Sequence, residues 1–216
     1  MTAITLYYSP QTRATGTRVL LEELGAPYEL HVLNMKAGEN RQAPYLAVNP
    51  LGKVPALRHG DAFVTEQIAI GLYLADLFPE AGLTPAIGDP ARGAYLRWMV
   101  YYAACFEPAV IDKALDRPAI PPSQSAYSDY DTMIATLEAQ LAKGPYLLGA
   151  RVTAADILWG MALSWTTLFG LVPKTPVIMD YVARMTARPT FVAIGAADEV
   201  MAAEHQAAVT GAAGGV

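Results

Sequence analysis

Asn49-Pro50-Leu51-Gly52-Lys53-Val54-Pro55-Ala56-Leu57 is the stretch on which the fold turns. A short apolar run interrupted by Pro55 does not suit the middle of a sheet, because proline brings no ladder donor. The two are reconciled by an edge strand that begins at Pro55 after a cis peptide. The Val54 peptide then faces outward and is free to pair with a ligand. Nine residues on, Glu66-Gln67 opens an apolar helix. The free amides and dipole of a helix start attract an anion. Together the two segments describe a site for a molecule with a peptide backbone and a carboxylate.

Upstream, Ile4-Thr5-Leu6-Tyr7-Tyr8 is a β-prone run closed by Ser9-Pro10. Val19, Leu20 and Leu24 fall on one face of a helix that Gly25 stops. Residues 28–33 read as a second strand, giving a β-α-β start with parallel strands. Residues 36–46 lack a clean period and read as loop and irregular helix. Residues 54–57 and 61–64 form a hairpin across Arg58-His59-Gly60. The helix that follows, patterned by Ile68, Leu72 and Ala75, ends before Pro79.

Residues 79–90 are rich in proline and glycine and mark the domain boundary. The expected division is 1–80, a linker 81–90, and a helical domain 91–216. Helices are expected near 91–114, 125–142, 153–169 and 177–187. A proline-rich loop covers 117–128, and the Gly/Ala-rich tail 210–216 is expected to fray. Thr153-x-x-Asp156 is a capping box in which hydroxyl and carboxylate each serve the other's backbone amide. Val152 and Ile157 flank it as a staple, so Asp156 is read as a folding residue rather than a catalyst.

Composition narrows the function. The 216 residues are 53% hydrophobic and 16% charged, enough to build a sizeable core. A net charge of −5 without a basic stripe argues against nucleic acid. No apolar run approaches the ~20 residues that cross a bilayer, and the N-terminus lacks signal-peptide character. The single cysteine, Cys105, has no internal disulfide partner, which fits a reducing cytoplasm. His31, His59 and His205 show no metal spacing.

On Val54-Pro55, Glu66-Gln67, the β-α-β start and Thr153-Ala154-Ala155-Asp156, the chain resembles the glutathione transferase family over nearly its whole length. Within that family it is similar to bacterial, soluble, serine/threonine-type members. The resemblance implies a thioredoxin-like α/β domain followed by an all-α domain, with the ligand in the cleft between them. It implies that the Val54 backbone, turned by Pro55, pairs with the cysteinyl part of glutathione. Glu66 takes the γ-glutamyl amine. The amide and side chain of Gln67 take its carboxylate, where most members carry serine or another small polar residue. Lys53 and Arg13, with Lys36 as a third, are candidates for the glycyl carboxylate.

The thiolate needs a donor between the first strand and first helix, since a helix start and a hydroxyl lower a thiol pKa. In the Ser-Pro register Thr12 falls at the serine-type position. Counting back from Arg18 puts Tyr7 at the tyrosine-type position. Ser9 is the third possibility, and the three stay open. Arg13 stands where cysteine-type members carry their cysteine, so that chemistry is excluded. Tyr101, Tyr102, Cys105, Phe106 and Trp165, with Phe169, are candidates to line an apolar pocket for the second substrate, rimmed by residues 117–128. The implied activity is addition of glutathione thiolate to small hydrophobic electrophiles in detoxification. Glutathione is a co-substrate, no cofactor is bound, and the assembly is a homodimer. The alternatives are a glutathione-dependent disulfide oxidoreductase and a non-enzymatic protein that binds glutathione or a partner.

Overall fold

The computed structural model describes residues 3–213. The chain divides into two compact units: residues up to Phe78 together with those from Pro189 onward, and residues Pro79–Arg188.

The first unit is built on a four-stranded sheet in the order β2-β1-β3-β4. Its strands are β1 (Ile4–Tyr8), β2 (Glu29–Val32), β3 (Ala56–His59) and β4 (Ala62–Val64). β1 and β2 run parallel through the crossover helix α1 (Ala14–Glu23), while β3 is antiparallel to both β1 and β4. This corrects the expected edge strand: β3 lies inside the sheet. Pro55 is tolerated because it precedes Ala56, outside the ladder, so its missing N–H removes no sheet bond. The irregular stretch after β2 holds two 3-10 turns and the short helix α2 (Ala43–Leu46). Helix α3 (Gln67–Leu77) follows β4 and packs on α1.

The last helix, α9 (Pro189–Ala213), also belongs to this unit and packs along α1. The expected helical domain 91–216 is corrected here. Phe191, Ile194, Asp198 and Ala202 recur at helical spacing and are buried, an inward stripe that binds α9 to the α/β unit. Residues 210–213 continue this helix, and 214–216 lie outside the described residues.

The second unit contains α4 (Ala91–Tyr101), α5 (Glu107–Ala114), α6 (Tyr130–Leu141), α7 (Ala154–Leu168) and α8 (Pro176–Thr186). A π-helical segment, Tyr102–Phe106, joins α4 to α5. Trp159 anchors the core, with Phe106, Tyr102 and Trp98 at centroid distances of 4.9, 5.6 and 6.0 Å. Its indole N–H donates to the Trp98 carbonyl at 3.0 Å, which satisfies the buried polar tip. The expected helix start at 125 moves to Tyr130, because Asp129 is the N-cap and accepts from the Thr132 amide at 2.8 Å.

The capping box at α7 is present and extends beyond its motif. Asp156, 0% exposed, accepts from the Thr153 amide (2.8 Å) and hydroxyl (2.9 Å), the Leu147 amide (2.8 Å) and the Tyr181 hydroxyl (2.9 Å). Burial pushes its carboxyl above the usual range, and these donors pull it back. Gly160 permits the close approach of α7 and α8, since a Cβ there would lie 2.6 Å from the Met185 Cβ.

Candidate active site

Three segments meet at one end of the sheet. The antiparallel register pairs Tyr7 with Ala56, so the chain leaving β1 runs alongside the Val54-Pro55 peptide that feeds β3. Leu57 pairs with Val64, so β4 delivers Glu66 and Gln67 to the same end.

The Val54-Pro55 peptide is cis, and Val54 is buried. The turn before it is held by its own sequence. Asn49 Nδ2 and Tyr45 OH donate to the Lys53 carbonyl at 2.8 and 2.6 Å, and Asn40 Nδ2 donates to the Gly52 carbonyl at 2.8 Å. Gly52, at φ +59°, is required twice over: a Cβ would meet the Asn40 carbonyl at 2.7 Å. The Lys53 side chain is exposed.

Glu66 is the N-cap residue of α3 at φ +65°, a left-handed backbone that a non-glycine residue adopts only under constraint. Its side chain is exposed beside the free amides of the helix start. Gln67 differs from the expectation. Its Nε2 donates to the Arg13 carbonyl at 3.0 Å, and its Oε1 is buried without a partner. The side-chain donor is therefore spent on joining the starts of α1 and α3, and the first amides of α3 have no partner within the helix. Arg13 contributes its carbonyl to that joint, with its side chain exposed.

Thr12 and Ser9 are in direct contact. The Thr12 hydroxyl donates to the Ser9 carbonyl at 2.7 Å and accepts from the Ala14 amide at 3.2 Å, so it closes the loop onto the first residue of α1. Tyr7 and Tyr8 point to opposite sheet faces. Tyr7 stands 4.9 Å from His31 and 5.7 Å from Tyr45 between ring centroids, and lines a pocket of ≈ 290 Å³ with Leu33, Glu39, Gln42, Pro44 and Val48. The expected third cation, Lys36, donates to Gln206 Oε1 at 2.9 Å.

The opposite face holds what the motifs do not reveal. Asp198 of α9, 3% exposed, accepts from Tyr8 OH, the Gln11 amide (2.9 Å) and the Thr15 hydroxyl (2.6 Å), with Arg18 Nη1 at 3.8 Å. Burial and the carboxylate raise the Tyr8 phenol far above its usual range, so it remains a donor. The available signal is an acid on the buried stripe of α9, where only a partnered carboxylate is tolerated.

The residues expected to line the second-substrate pocket separate into two groups. Tyr102 and Phe106, 2% and 1% exposed, are core residues stacked on each other and set edge-on against Trp159, which corrects their assignment. Tyr101, Cys105 and Trp165 are half-buried. The Cys105 thiol faces the Ala126 carbonyl at 3.5 Å, and burial pushes its pKa up, away from thiolate character. Among the described residues no helix is long and apolar enough to cross a membrane, and no cluster of His, Cys, Asp or Glu has the makings of a metal site.

Comparison with known proteins agrees with this geometry. Residues 2–76 match the family described as glutathione S-transferase, N-terminal domain, and residues 108–184 match glutathione S-transferase, C-terminal domain. A tobacco (Nicotiana tabacum) protein named glutathione S-transferase PARB is 30% identical over 169 residues, spanning 72% of this chain and 78% of its own. The crystal structure of a glutathione transferase from Methylococcus capsulatus strain Bath is 30% identical, with a TM-score of 0.76 over 91% of this chain and 99% of that one. That of a Sulfitobacter glutathione transferase homologue with bound glutathione is 31% identical, with a TM-score of 0.73 over 93% and 100%. The sheet with its cis Val54-Pro55 turn, the helical unit with its capping box, and these matches agree: the chain belongs to the glutathione S-transferase family.

Proposed function

We propose that this protein is a glutathione transferase that adds the glutathione thiolate to small hydrophobic electrophiles. The observation that carries the reading is the meeting of the cis Val54-Pro55 turn with the start of α3 at Glu66-Gln67. A γ-glutamyl tripeptide has what these groups want: an ammonium for Glu66, a carboxylate for the amides of α3, and a cysteinyl backbone to pair with Val54. Lys53 and Arg13 supply exposed positive charge for the glycyl carboxylate. Glutathione is a co-substrate, and none of these steps needs a bound cofactor.

The thiol loses its proton, the sulfur forms a bond to the electrophilic carbon, and the leaving group departs with its electron pair. The loop 9–13 and the first amides of α1 are the parts that stabilise the thiolate. Thr12 is the favoured hydroxyl, in a serine/threonine-type arrangement, and must turn from the Ser9 carbonyl to donate. Ser9 and Tyr7 remain as the other two hydroxyls. Tyr101, Cys105 and Trp165, which keep exposed surface in the helical unit, are assigned to the electrophile. A cytoplasmic, homodimeric detoxification enzyme completes the reading, supported by the single half-buried cysteine and the family.

Calorimetry with glutathione, together with turnover of a chlorodinitrobenzene-type electrophile and of a mixed glutathione disulfide, tests it. Binding with turnover of the first substrate is expected. Turnover of the disulfide alone makes the protein an oxidoreductase, and binding without turnover makes it a binding protein. Glu66→Ala is expected to weaken glutathione by about 1.5–3 kcal/mol, the value of a hydrogen bond to a charged group. Unchanged affinity moves the γ-glutamyl end elsewhere.

A further inference from the structure

The loop between β1 and α1 contains no secondary structure to hold it, yet it is tied down from a point 187 residues away in sequence, where the Gln11 amide donates to Asp198 Oδ2 at 2.9 Å. Gln11 stands at φ +55° with its side chain exposed while its amide points inward to the carboxylate. The same carboxylate receives Tyr8 OH from the end of β1 and Thr15 Oγ1 from the first turn of α1. The two flanks of the loop and its middle are thus fixed to one buried group. Arg18 of α1 balances the charge at 3.8 Å, and is itself oriented by Tyr28, whose hydroxyl donates to Glu22.

We propose that Asp198 is a positioning residue for the reaction: from α9 it holds the loop 9–13 in the conformation that presents Thr12 and the first amides of α1 to the glutathione thiolate. This rests on the functional reading above. Asp198 touches neither the γ-glutamyl end at Glu66 nor the Val54 peptide, so affinity and reactivity separate. A displaced loop leaves the tripeptide anchored but its sulfur poorly stabilised, and small misplacements of a reacting group cost up to ~100-fold in rate.

Asp198→Asn keeps the shape but, with its NH2 in place of Oδ2, leaves the Gln11 amide facing a donor, while the Thr15 hydroxyl can turn to accept. Tyr8→Phe removes one donor from the carboxylate and leaves the rest. In each variant three quantities are read: glutathione affinity by calorimetry, kcat with a saturating electrophile, and the ionisation of bound glutathione from thiolate absorbance against pH. Asp198→Asn is expected to bind glutathione within about twofold of the parent. Its kcat is expected to fall about tenfold to a hundredfold, and its thiol ionisation to move up by about one pH unit. Tyr8→Phe is expected to move in the same direction by less, and decides alone if Asp198→Asn does not fold. Folded variants with lower melting temperatures but the parental kcat and thiol titration overturn the proposal and leave Asp198 a structural residue. A parent that shows neither glutathione binding nor thiolate absorbance overturns the functional reading itself, and the proposal with it.

Discussion

Asp156 in the helical unit and Asp198 in the α/β unit are both buried, 0% and 3% exposed, and each carboxylate is surrounded by donors. They differ in where the donors come from. Asp156 takes two of its bonds from Thr153, three residues away, one from Leu147, nine away, and the most distant from Tyr181, 25 away. Asp198 takes its bonds from Tyr8, Gln11 and Thr15, at separations of 190, 187 and 183 residues. A carboxylate with local partners starts a helix, and its loss is felt as stability. A carboxylate with distant partners fixes a loop against the fold, and its loss is felt first as the geometry of whatever the loop presents.

The largest effect expected from this contrast is at Asp156. Asp156→Ala strands the buried Leu147 amide and Tyr181 hydroxyl, and a loss of about 2–5 kcal/mol is expected, the desolvation cost of two buried donors left without an acceptor. Urea unfolding followed by tryptophan fluorescence reads it directly, because Trp98, Trp159 and Trp165 all lie in residues Pro79–Arg188. Asp198→Asn, which keeps shape and one acceptor, is expected to cost about 1–3 kcal/mol, read by circular dichroism of the whole chain. An order reversed between the two breaks the contrast.

Gly160→Ala sharpens it from the packing side. Met185 and Tyr181 share α8, so an added Cβ that pushes Met185 away also pulls Tyr181 from Asp156. A loss of about 1–3 kcal/mol is expected for this overpacking. The loss should not add to that of Tyr181→Phe, because both act on one contact. Full additivity would separate the α7–α8 seam from the Asp156 network.

The smallest expected effect is at a half-buried carboxylate of the helical unit. The Tyr127 hydroxyl, 2.7 Å away, and then Arg117 hold the Asp112 carboxyl below its usual range. A depressed folded pKa means that this contribution is present above the unfolded value of ~3.9 and is lost as pH falls through the folded one. Tyr127→Phe is therefore expected to lower stability slightly at neutral pH and to match the parent in strong acid. A difference that persists in acid assigns Tyr127 to packing instead.

The parts of the molecule that could be read beforehand are those whose partners are close in sequence. The turn before Val54-Pro55 is built by Asn49, Gly52 and Lys53 of the same segment. Glu66-Gln67 marks a helix start through its own amides, and Thr153 with Asp156 caps α7 within one turn. Sequence and structure part where burial or sheet order intervenes. Pro55 reads as an edge because proline removes a donor, yet the ladder begins one residue later. Tyr102 and Phe106 read as pocket residues because aromatic side chains serve both purposes, and the packing round Trp159 claims them for the core.

The amino-acid order thus settles the α/β start, the cis-proline turn, the helix starts and the capping box, because each is a competition among groups a few residues apart. The assembled chain settles the rest. It makes β3 an interior strand, it brings α9 to the first unit, it commits the Gln67 side chain to Arg13, and it gives Asp198 its donors. None of these has a local cause: in each, a polar or apolar group finds its lowest free energy only against a surface made by another part of the chain, and that surface exists only once the chain has folded.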